Sequence, residues 1–147
     1  MKRFIVLFLL ALACFSGCAR LKAAQDADNE YRAANRLVSE KKYSEAAAAY
    51  DQIAKESAGT ERGENALFAA ASAQASYDNP HKDYAQALQS FDEFLKLYPE
   101  SGKAQEAQNW HYFIKTILDL RKENERLTSS IEQLKKLDIR HEERRRK

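Results

Sequence analysis

Two thiols, three imidazoles and a few carboxylate pairs are the groups in this sequence that could do chemistry. Two cysteines are too few for a disulfide framework or a four-cysteine zinc site. None of His81, His111 and His141 has a second His or Cys at metal-ligand spacing. After His141 and Glu142, a zinc-hydrolase motif would need a second His where Arg145 stands. The chain has no G-x-S-x-G, no G-x-G-x-x-G and no glycine loop suited to a phosphate. Asp92-Glu93 and Glu142-Glu143 lie in charged helical sequence, where paired carboxylates are normally solvated surface. The expectation is a protein that is not an enzyme and that holds no metal and no dissociable cofactor.

Cys18 has a different chemistry in view. Lys2 and Arg3 precede an uncharged apolar run, Phe4 to Phe15, of twelve residues. A helix needs roughly 20 apolar residues to span a bilayer, and a signal h-region has about 7–15. The run ends in Phe15-Ser16-Gly17-Cys18. This segment resembles the bacterial lipobox, although the family pattern usually has Leu where Phe15 stands. The resemblance implies that residues 1–17 are removed as a signal peptide, taking Cys14 with them. It further implies that Cys18 becomes the N-terminus and carries diacylglycerol and an N-acyl chain such as palmitate. An ordinary secretory signal with a chance cysteine is the alternative. Residue 19 is Ala rather than Asp, and by the same resemblance the lipoprotein is sorted to the outer membrane, on its periplasmic side. Each buried acyl CH₂ contributes about 0.8 kcal/mol, so two or three chains anchor stably. Residues 18–26 then read as a tether.

The rest of the chain must supply the elements that position any binding surface. Four Gly, two Pro and many Ala and charged residues predict an all-α fold. Lys42 to Ile53 recurs as Asp83 to Phe94: Tyr43 aligns with Tyr84, Ala46 with Ala87, Tyr50 with Phe91 and Ile53 with Phe94, a step of 41 residues. Steps of three and four place these side chains on one helix stripe, with the small Ala at a close helix–helix approach. Aromatic, Ala, aromatic and apolar residues followed by Pro99 resemble the second helix of a tetratricopeptide repeat, whose standard period is 34. The extra residues are expected in loops at 58–63 and 78–82. Tyr31, Ala34, Leu37 and Val38 would belong to one first helix. Ala66, Leu67, Ala70, Ala71 and Gln74 would belong to the next. A third unit is expected to start near Ser101, read as its N-cap, with Ala104, Ala107, Trp110, Ile114 and Ile117 on one face. Trp110 reads as core. The expected fold is therefore tetratricopeptide-like helical hairpins over 27–118, followed by a charged C-terminal helix over 119–147.

That helix has a heptad register. Leu120, Leu127 and Leu134 occupy d, and Ile117, Asn124 and Ile131 occupy a. Pairing of two chains into a homodimer, docking on a partner, and a bare solvated helix are all compatible with this seam. No Gly or Pro follows Gly102, so one helix of roughly 65 Å can run to near the C-terminus. The tail Arg144-Arg145-Arg146-Lys147 suits a helix C-terminal dipole or an anionic envelope surface, and no nucleic-acid partner is expected for an exported chain.

Two functional expectations follow. The first is an envelope scaffold that holds a protein partner on the concave face of the repeats. By resemblance to peptide-contacting repeat positions, that face would use Tyr31, Asn35, Val38, Phe68 and Ser72. The general class includes BamD-like lipoproteins of outer-membrane barrel assembly, which have five repeats and are much longer. The alternative is an accessory to the periplasmic domain of a two-component sensor kinase, because the charged coil of 121–147 resembles QseG-type lipoproteins. The formal net charge of +2 conceals an asymmetry: residues 18–114 carry 11 basic and 15 acidic side chains, whereas 115–147 carry 11 and 7. An oppositely charged partner at each end would fit that imbalance.

Overall fold

In a computed structural model, the described residues are 25–26 and 28–146. The expected signal peptide, Cys18 and most of the 18–26 tether lie outside them. The described residues are helical apart from short turns: α1 (28–39), α2 (Tyr43–Glu56), α3 (Glu61–Ala75), α4 (Tyr84–Leu97) and α5 (Ala104–Arg145). The fold is all-α with a long C-terminal helix, as expected from the sequence. No described helix is long and apolar enough to cross a membrane.

The described residues up to Lys82 form one compact unit and those from Asp83 a second. In the first, α1, α2 and α3 share a core of small side chains. Ala34, Ala46, Ala66 and Ala70 are all fully buried, with Tyr50 and Ile53 filling the space between them. Methyl-sized contacts let helix axes approach closely, so dispersion contacts are dense although the side chains are small. The α1–α2 turn is a Schellman motif: Lys42 N–H bonds Leu37 O at 2.8 Å and Lys41 N–H bonds Val38 O at 2.9 Å. Lys41 takes the left-handed position with φ 59°, where glycine is the usual residue. Its ammonium is 3.0 Å from Asp78, which ties this turn to the loop after α3.

The loop expected at 58–63 is shorter than its sequence suggests. Thr60 caps α3 by accepting the Gly63 N–H at 3.2 Å, so Glu61 to Gly63 already belong to the helix. Gly59 turns the chain with φ +75°. After α3, buried Asn79 holds the turn: its amide donates to Ala73 O at 3.2 Å, and its carbonyl accepts from His81 N–H at 2.9 Å.

In the second unit α4 packs along α5. Asp83 caps α4 by accepting the Gln86 N–H at 2.9 Å. Ala87, Phe91 and Phe94 are fully buried, and Ala107 and Ile114 are the most deeply buried residues of α5. Trp110 is only half-buried but stacks on Phe91, with centroids 6.1 Å apart and planes within 5°. Ser101 is not the N-cap; that position is Lys103. The Ser101 hydroxyl instead accepts the Lys103 N–H at 3.0 Å, from two residues before the cap. Helix α5 passes residue 118 without interruption.

The 41-residue step reaches further than the aromatic stripe. It carries Gly63 to Ala104, Ala66 to Ala107 and Ala73 to Ile114, buried residues in every case. It also relates turn hydrogen bonds. Ser57 N–H bonds Ile53 O at 3.0 Å, and Tyr98 N–H bonds Phe94 O at 2.8 Å. Thr60 N–H bonds Ser57 O and Ser101 N–H bonds Tyr98 O, both at 3.1 Å.

Candidate interaction surfaces

The five residues expected to line a partner groove all lie in the first unit, on α1 and α3. Tyr31 and Val38 are half-buried and pack against the small-residue core. The ring of Tyr31 meets Tyr50 edge-on at 5.4 Å. Asn35 is exposed as a residue, yet its side-chain carbonyl accepts the Tyr50 hydroxyl at 2.6 Å. Tyr31 and Asn35 thus converge on Tyr50 of α2, a residue assigned from sequence to the core stripe alone. On α3, Phe68 and Ser72 are half-buried, and the Ser72 hydroxyl donates to Phe68 O at 2.9 Å. Tyr31 and Val38 therefore serve packing as well as any surface.

Burial pushes the Tyr31 phenol above its ordinary pKa, against a smaller opposing pull from Arg62. Burial also raises Tyr50, helped by the neighbouring Tyr31. Both phenols stay protonated at neutral pH, which keeps Tyr50 a hydrogen-bond donor. Arg62 in turn reaches Glu30 of α1 at 3.0 Å. Tyr50→Phe should cost about 1 kcal/mol, because Asn35 can turn to water once the hydroxyl is gone. Urea unfolding should show a lower midpoint with an unchanged slope.

A second surface runs along α5. Ile117 is half-buried, but Leu120 is 64% exposed, Leu127 47%, Ile131 53% and Leu134 63%. Asn124 is also exposed, and Ile117, Leu120, Arg121, Asn124 and Glu125 line a shallow groove. The guanidinium of Arg121 lies 4.8 Å from the ring centroid of Tyr84, the first residue of α4. Farther along the pair, His111 Nε2 is 3.0 Å from Asp92 Oδ1. Glu123 and Arg126 form a two-pronged pair at 2.6 and 2.7 Å, which holds the Glu123 carboxyl below its usual range.

Among the described residues no group of three or more His, Cys, Asp or Glu is placed to hold a metal ion. The contacts missed from sequence, Arg121 on Tyr84, Arg62 with Glu30 and Lys41 with Asp78, join residues at least 32 positions apart and leave no local signal. Asn79 did leave one, since Asn-Pro marks a turn. The chain matches no family model, no curated protein and no solved structure.

Proposed function

We infer that this chain is a non-enzymatic envelope lipoprotein, anchored through Cys18 to the periplasmic side of the outer membrane, that holds a protein partner on a tetratricopeptide-like helical body. The observation that carries this reading is the 41-residue step shared by buried side chains and turn hydrogen bonds. Such units bury their apolar faces on neighbours and leave a side-chain-rich surface for binding. Phe68 and Ser72 on α3 keep part of their surface open to such a partner. The anchor rests on the sequence before Cys18, a cationic start and a short apolar run that ends in Ser16-Gly17-Cys18.

Two measurements test the reading. Wild-type protein should incorporate labelled palmitate and fractionate with the outer membrane, whereas Cys18→Ser should incorporate none and accumulate as precursor or soluble chain. Lipid labelling of Cys18→Ser would defeat the anchor. A photo-crosslinking residue in place of Phe68 should capture one defined envelope protein in cells, and the same residue at exposed Lys55 should not. Equal capture at both positions, or at neither, would defeat the scaffold.

A further inference from the structure

We propose that the outer half of α5 is one strand of a parallel, in-register two-stranded coiled coil formed with a second copy of this chain. Within its unit, α4 covers α5 only as far as the contact of Tyr84 with Arg121. Beyond it every described residue is exposed except half-buried Ser130, and the exposed side chains include Leu127, Ile131 and Leu134. An apolar seam left open along an otherwise charged helix marks an interaction surface, and covering it would add to the stability of the helix.

The seam selects a copy of itself. Asn124 occupies an a position between Ile117 and Ile131. In a parallel, in-register pair Asn124 faces the second copy's Asn124, and the two amides satisfy each other. An antiparallel pair places it against a Leu layer, and an apolar groove of an unrelated partner leaves the same amide unanswered. Flanking charges leave this geometry unopposed. Beyond Arg121 each g residue would face the e residue five positions on in the other copy: Glu123 with Thr128, and Ser130 with Lys135. No like charges meet, and Glu123 already has its cation in Arg126 of its own helix. The next a position is Asp138, where two carboxylates would face each other, so the coil ends at Leu134. This pairing is independent of the lipid anchor and of whatever the α1–α3 surface binds.

Sedimentation equilibrium of the full chain in mild detergent should give a dimer at micromolar concentration. Leu127→Glu with Ile131→Glu should raise the dissociation constant at least about 100-fold, since both side chains leave a buried layer. Both residues are exposed in the single chain, so the fluorescence of Trp110 on Phe91 should not change. Leu134→Cys under mild oxidation should yield a 134–134 disulfide, identified by peptide mapping. An antiparallel pair would place Leu134 beside Ile117 and hold the two 134 positions about 25 Å apart. A monomeric wild type, an unaffected dimer in the double variant, or a dimer without the 134–134 link would each overturn the proposal.

Discussion

Ala87→Arg is expected to abolish the α4–α5 pair. Ala87 is fully buried on the same stripe as Phe91 and Phe94, and the most buried residues of α5 are Ala107 and Ile114. A guanidinium there either stays buried among apolar side chains or forces the helices apart. An unpaired buried cation costs more than about 4 kcal/mol, a large share of the roughly 5–15 kcal/mol that holds an ordinary domain. The stack of Trp110 on Phe91 gives a local probe, so Trp fluorescence should shift toward that of exposed indole as helicity by circular dichroism falls. Ala85→Arg is the matched control, since Ala85 lies on the same helix and is exposed. It should move the melting temperature by no more than a few degrees. Equal melting of wild type and Ala87→Arg would contradict this packing.

Gly63→Ala has the second-largest expected effect, and its sign is opposite to the usual helix rule. Replacing Gly by Ala inside a helix ordinarily gains about 1 kcal/mol. At Gly63 the new Cβ would lie 2.2 Å from Ser57 O, 2.7 Å from Ser57 C and 3.3 Å from Ala54 O. All three are backbone atoms, so no side chain can rotate away, and the end of α2 must separate from the start of α3. A loss of about 2–3 kcal/mol is expected, read as a lower urea midpoint for the first unit. Gly102→Ala is the matched control, because a Cβ there meets nothing within 4 Å. Its midpoint should change by less than about 0.5 kcal/mol equivalent.

The same glycine shows where sequence reasoning reaches its limit. Tyr43, Ala46, Tyr50 and Ile53 announce α2 because every third or fourth residue is apolar or small, and all four are buried. Helix α5 is legible from the lack of Gly or Pro after Gly102. Gly63 reads as a loop residue, since glycine usually ends a helix. Its role is set by the approach of Ser57, which no local pattern records. The candidate surface is legible in the same partial way. Helical spacing puts Tyr31, Asn35 and Val38 on one side of α1, but does not name the neighbour that side meets. That neighbour is Tyr50, fifteen residues beyond Asn35. The heptad of Ile117 to Leu134 is plain in the sequence, because a seam of fixed period needs no third element to be seen.

Helix α5 has a mechanical consequence. Arg121 is gripped at Tyr84, and the helix continues to Arg145, about 36 Å farther at 1.5 Å per residue. A rod of that length is a lever with its fulcrum near the start of α4. A tilt of about 10° at the fulcrum sweeps the far end through roughly 6 Å. The same tilt moves Trp110, about 16 Å on the other side of the fulcrum, by roughly 3 Å, so a stroke at the basic tip is felt at the stack of Trp110 on Phe91. A force on that tip is felt at the α4 contact multiplied by about two, the ratio of the two arms.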